Sequence, residues 1–191
     1  MPPRVKPQLN VPGEATVRQI YRIVKGSRLE IPVLLASVGP MRRGEIVAAS
    51  LDDLDGDTLH VRRAAVYDKN RRQIIKDYPK TMESDRLILL PHSVAELIRE
   101  RGVTWDYSLE GLSDAFSRML ASNHIEHFRF HDLRHSFVSL AHAAGIPDAY
   151  IQERGGWSTA YTMINVYRHT LDDSRMEKQA KVNRIFEDFM E

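Results

Sequence analysis

The sequence predicts an α+β fold that is mainly helical, with one small three-stranded antiparallel sheet near its middle. Three observations predict it. Apolar residues recur at helical spacing near the amino terminus, β-like alternation takes over between Gly56 and Leu90, and everything beyond Pro91 returns to the helical pattern. The 191 residues suffice for one domain with a core that sustains itself.

Residues 1–13 hold four prolines and a glycine and read as a linker, because proline removes backbone donors and resists regular pairing. The domain is therefore expected to run from 14 to 191. Val17, Ile20, Tyr21 and Val24 recur at i, i+3, i+4 and i+7, a helix that Gly26 ends. A second helix follows at Leu29 to Val38, and a short third one, after Gly39-Pro40, at Arg42 to Ser50. Then come three strands: Gly56 to Tyr67 with Leu59, Val61 and Val66, Gln73 to Lys76 beyond the turn Asp68 to Asn70, and Arg86 to Leu90. Helices are expected at Ser93 to Arg101, Leu109 to Asn123, Asp132 to Ala144, Pro147 to Glu153, Thr162 to Tyr167 and Asp173 to Met190. Gly145-Ile146-Pro147 and Gly155-Gly156 supply breaks. In the last helix Val182, Ile185, Phe186 and Phe189 form an apolar stripe.

Composition removes several classes of function. The chain has no cysteine, so disulfides, thiolate-zinc sites and cysteine nucleophiles drop out. No apolar run approaches the ~18 residues of a membrane span, and the opening Met1-Pro2-Pro3-Arg4 lacks a signal peptide's apolar block, so a cytoplasmic location is expected. The net charge of +1 says little, but the charges are segregated. Residues 1–50 hold eight Lys/Arg against three Asp/Glu, and Arg62 to Lys80 holds seven against two, a distribution that can set a positive face on a nearly neutral body.

Three clusters carry chemistry. In His131-Asp132-Leu133-Arg134-His135, His131 and Arg134 share a helix face and can meet one anion near the start of that helix. Met41-Arg42-Arg43-Gly44-Glu45 places arginines beside a small residue and a carboxylate. Gly155-Gly156-Trp157 is followed, ten residues after the tryptophan, by Tyr167. The chain carries no P-loop, dinucleotide fingerprint or carboxylate cluster for two-metal chemistry. His124, His127, His131 and His135 have spacings that could align metal ligands, but Phe128-Arg129-Phe130 reads as an extended bridge that breaks the shared face. No metal or cofactor is expected.

An arginine, a hairpin lysine, His-x-x-Arg, a His or Trp and then a Tyr, in that order, resemble the signature of the tyrosine recombinases, the phage-integrase family. The resemblance covers residues 14 to 191, and the wording is most similar to integrases of temperate phages and conjugative transposons. It implies the family's catalytic-domain fold, with Arg42 as first catalytic arginine, His131 and Arg134 as the central pair, Trp157 in the His/Trp position and Tyr167 as nucleophile. The lysine falls on Lys80, since Lys80-Thr81-Met82-Glu83-Ser84-Asp85-Arg86 resembles a family phrase; Lys76 is second, and Lys69 is also on the hairpin. Glu45 is expected to buttress an arginine and Asp132 to cap or orient its helix.

The implied activity is site-specific recombination, integrating or excising a mobile element through a 3′-phosphotyrosyl intermediate and a Holliday junction, without metal or ATP. Two alternatives are strand religation of the type IB topoisomerase kind and junction binding without cleavage. Implied partners are double-stranded DNA, a homotetramer on that DNA and a directionality factor; the terminal helix has two readings, packing on its own domain or docking on a neighbouring protomer, of which the resemblance favours docking in trans, and bound to DNA the protein would be nucleoid-associated in a bacterium. At this length the amino-terminal core-binding domain of such enzymes is expected to be missing.

Overall fold

The computed structural model describes residues 10–77, 85–102 and 108–159. The described chain runs α1 (Glu14–Val24), α2 (Glu30–Ser37), α3 (Arg43–Ala48), a 3-10 turn (Leu51–Asp53), β1 (Leu54–Asp55), β2 (Thr58–Val61), β3 (Arg63–Tyr67), β4 (Gln73–Asp77), β5 (Arg86–Leu89), α4 (His92–Arg101), α5 (Leu109–Ser122), α6 (Asp132–Ala143) and α7 (Asp148–Gly155). The helices expected at 162–167 and 173–190 lie outside the described residues. No helix among the described residues is long and apolar enough to cross a membrane.

The helical expectations hold to within two residues at each end. The strands differ. The run from Gly56 to Tyr67 is broken at Arg62, so a three-stranded sheet in the order β1-β2-β5 stands beside a separate β3-β4 hairpin. β2 pairs antiparallel with β5, Leu59 opposite Ile88, and β3 pairs antiparallel with β4, Ala64 opposite Lys76. The break has a visible cause. Arg62 Nε and Arg63 Nη2 both donate to the Asp53 carboxylate, at 2.8 and 2.7 Å, and successive side chains of an unbroken strand point to opposite faces and could not share one acceptor. Asp53 is buried, and although burial alone would raise its pKa, the Ser50 N–H and the two arginines hold it below the ordinary range.

The main core gathers α1 to α6 around the sheet, with Ile20, Leu35, Ile46, Leu112, Phe116, Leu120 and Leu133 all sealed from water. Phe116 is met edge-on by Phe128 and Phe130, ring centres 5.5 and 5.3 Å away. That contact fixes the non-helical segment leading into α6, and with it the start of the helix. A second cluster of Val138, Ile151 and Trp157 joins α6 to the segment after α7. Gly44 lets α3 lie against β3, since a Cβ there would stand 2.6 Å from the Ala65 carbonyl oxygen.

Candidate active site

Arg42 stands at the amino-terminal boundary of α3 in extended backbone, and its own N–H donates to Glu45 Oε2 at 2.7 Å. Its guanidinium divides its bonds. Nη1 donates to Glu45 Oε1 and Nη2 to the Gly156 carbonyl, each at 2.7 Å, which ties α3 to the turn before Trp157. Glu45 is wholly buried and is gripped from the other side by Arg86, whose Nη1 and Nη2 donate to its two oxygens at 3.1 and 2.9 Å. Burial alone would raise the Glu45 carboxyl, but Arg86 and then Arg42 outweigh it and hold the pKa at about 2. Glu45 is thus a fixed anion that orients arginines, and it is unsuited to serve as a proton donor.

Arg86 also donates through Nε to the Arg154 carbonyl at 3.0 Å, and the Arg154 guanidinium reaches the Val38 carbonyl at 3.1 Å. The end of α7 is therefore held by β5 and α2 together. Gly156 then turns the chain in left-handed conformation, and Trp157 folds back onto Gly155. A Cβ at Gly155 would lie 1.7 Å from the Trp157 ring, so this pair of residues packs only with glycine first.

α6 and the residue before it supply the central pair. Arg134 is 1% exposed; its Nη1 donates to the Pro40 carbonyl, and its guanidinium lies over the Trp157 ring, 4.0 Å from the centroid. A stacked guanidinium keeps its in-plane donors for acceptors at its edge. His131 precedes α6 with its ring edge-on to His135, centroids 5.0 Å apart. Crowding by the surrounding protein, then the Arg134 charge, push the pKa of the partly solvent-facing His131 below 6.5, with Asp132 opposing, and burial with the His131 charge pushes His135 down to about 4. Asp132 does not cap α6: its carboxylate accepts from the Arg129 N–H at 2.9 Å and the Arg129 guanidinium at 2.8 Å, bracing the turn into the helix.

These depressed values carry a signed prediction. The neutral His135 imidazole favours the fold in full above pH 6.5, and that preference is lost as the pH falls to about 4. We expect proton-detected titration to place His131 below 6.5 and His135 near 4; either midpoint above 6.5 would contradict this environment.

The structure thus brings Arg42, Arg134 and Trp157 together through the Gly156 and Pro40 carbonyls, with His131 lining the same cleft as Arg42. Lys80 and Tyr167 lie outside the described residues. Lys76 stands on the exposed strand β4, and Lys69 in the turn before it. Because α6 starts only at Asp132, the four histidines from His124 to His135 do not share a helix face, and no three His, Asp or Glu among the described residues gather to hold a metal. Sequence reasoning passed over Arg86 as a structural clamp. Its signal was register: Arg86 takes the inward position of a strand whose other inward residue is Ile88, and an inward charge demands a buried partner.

Set beside known proteins, residues 14–174 match the model of the phage integrase family, and the chain belongs to that family. A tyrosine recombinase XerC-like protein of Caldanaerobacter subterraneus subsp. tengcongensis is 20% identical over 96% of this chain and 56% of its own length. The integrase of Salmonella phage P22 is 40% identical over 32% of this chain and 16% of its own. The chain thus spans just over half the length of the first of these relatives. Among solved structures, the Tn1549 transposon integrase in complex with transposon right end DNA superposes with a TM-score of 0.74 at 16% identity, over 96% of this chain and 69% of that one. The XerA recombinase gives 0.67 at 17% identity, over 95% and 67%. At such identities the likeness is one of fold.

Proposed function

We propose that this chain is the catalytic domain of a site-specific DNA recombinase that cleaves and rejoins strands through a 3′-phosphotyrosyl intermediate, in integration or excision of a mobile element. The observation that carries the reading is the convergence of Arg42, His131, Arg134 and Trp157 on one locus, with both arginines oriented by fixed partners. Phosphodiester cleavage by a side-chain oxygen passes through a crowded anionic phosphoryl state, which guanidiniums with preset donors stabilise without reorganising. Arg42 and His131 face solvent, whereas Arg134 is buried on its Trp157 platform. Trp157 has no proton to transfer as acid or base, and its contribution is to hold the Arg134 plane.

In the proposed step the Tyr167 oxygen attacks phosphorus and its proton passes to His131, which is neutral at pH 7 and able to accept it. The bond from phosphorus to the 5′ oxygen breaks, and Lys80 protonates the leaving oxygen. The tyrosyl phosphodiester preserves the bond energy, so an incoming 5′ hydroxyl reverses the step without ATP or metal. Double-stranded DNA is the substrate and the assembly a homotetramer on paired sites, with a directionality factor choosing the outcome. The Val182, Ile185, Phe186, Phe189 stripe would dock on a neighbouring copy. A groove of about 630 Å³ lined by Leu87, Leu89, Leu140, Ile146 and Tyr150 offers such a stripe a surface of matching chemistry. A cytoplasmic, nucleoid-bound protein and a core-binding domain on a longer natural chain complete the proposal.

A nicked suicide duplex carrying the cognate site is expected to trap the protein covalently in EDTA without nucleotide. A Tyr167→Phe protein that still forms the adduct would refute the reading. For the acid, a substrate with a 5′-thiol leaving group should restore cleavage to Lys80→Ala, because a good leaving group needs no proton. Rescue of Lys76→Ala instead would move the role to Lys76.

A further inference from the structure

Beside the site lies a cleft of about 510 Å³, bounded by the start of α3, one face of α5 and the segment entering α6. Arg42 and His131 line it, so it is continuous with the proposed cleavage site. The rest of its polar lining among the described residues is Arg43, Ser113, Ser117, His127 and Arg129, with no carboxylate among them. We infer that this cleft is a second phosphate subsite, which grips the DNA backbone next to the phosphate being cleaved. The inference rests on the DNA reading above.

Charge, shape and fixation each point to a phosphodiester. Asp132 sits behind Arg129, 4% exposed, and neutralises it formally, while Arg129 itself remains 63% exposed. Glu45 is shared by Arg42 and Arg86 and leaves that trio with a net positive charge. Arg43 adds another, and its Nη1 donates to a neutral partner, the Ser113 hydroxyl, at 2.7 Å. That bond holds a long side chain, half-buried, across the cleft, which lowers the ordering cost of meeting an anion. α5 turns Leu112, Phe116 and Leu120 into the core and lays Ser113 and Ser117, one helical turn apart, along the cleft. Two small hydroxyls leave room for a strand and offer it donors. All these groups address phosphate oxygens through charge and O–H or N–H donors, so the subsite should position DNA without reading its sequence.

The test uses the full chain and a fluorescein-labelled 30-bp duplex, with binding followed by anisotropy from 20 to 150 mM NaCl. Each phosphate contact contributes about −0.9 to the slope of log K against log salt. Arg43→Gln is expected to make the slope shallower by about 1 and to weaken binding about three- to tenfold at 50 mM, equally on two unrelated sequences. Ser113→Asp and Ser117→Asp, which set a carboxylate in the cleft, should weaken it at least as much. Arg18→Gln, at an exposed pair on α1, should change neither. Wild-type slope and affinity in both Arg43→Gln and Ser117→Asp would overturn the subsite, whether or not Ser113→Asp folds. Suicide-substrate trapping in the same preparations separates the two readings. An adduct with unchanged slopes removes the subsite alone, and shallower slopes without an adduct remove strand transfer and leave the subsite.

Discussion

Replacing Arg86 by methionine is expected to cost about 3–5 kcal/mol of stability at pH 7, the range for breaking a buried ion pair by deleting one partner. Glu45 would then be a buried carboxylate with only half of its present cationic support, Arg42 being the more exposed of the two arginines. The pH dependence fixes the sign. A carboxyl held at about 2 when folded, against an ordinary 4.5, favours the fold by about 3 kcal/mol above pH 4.5, and that contribution is lost as the pH falls through 2. The deficit of Arg86→Met in urea titrations should therefore be largest near neutrality and shrink between pH 4.5 and 2. A deficit under 1 kcal/mol, or one that stays constant through that window, would contradict the clamp. Cleavage should fall as well, because Glu45 sets the direction of Arg42.

Gly155→Ala is the second large effect. The new methyl would coincide with the Trp157 ring, so the ring must leave its place between Val138 and Ile151 and give up the Arg134 plane. Overpacking of this kind costs about 1–3 kcal/mol, and loss of the platform should reduce adduct formation by at least tenfold. The resemblance implies that position 157 accepts histidine as well as tryptophan, and the smaller ring makes Gly155→Ala/Trp157→His the expected rescue. Unchanged melting and unchanged cleavage in Gly155→Ala would show that the ring has another place to go.

Most of this was legible in the sequence, for reasons that differ by element. The helices announced themselves by periodicity, and α5 and α6 begin where the pattern said. The split of the second and third strands was not legible, because it depends on Asp53, nine residues before Arg62, drawing two successive arginines to one side. In the site, the order of Arg42, His131, Arg134 and Trp157 was readable, but their fixings were not. The Pro40 and Gly156 carbonyls are backbone atoms that no residue type advertises, and Arg43 gained a role only when α5 was laid opposite α3. Gly155 stands between the two cases: the glycine pair was visible as a break after its helix, and the further reason for its first member, room for an indole, came only with the fold.

In the proposed reaction the arginines, histidine and tryptophan gathered at the start of α6 serve a tyrosine nucleophile ten residues beyond Trp157. The most direct measurement is peptide mapping by mass spectrometry of the protein trapped on its nicked suicide substrate. A single nucleotide-bearing peptide is expected, with the linkage on Tyr167. A linkage on Tyr150 or Tyr161, or no covalent species on a cognate site, would contradict it.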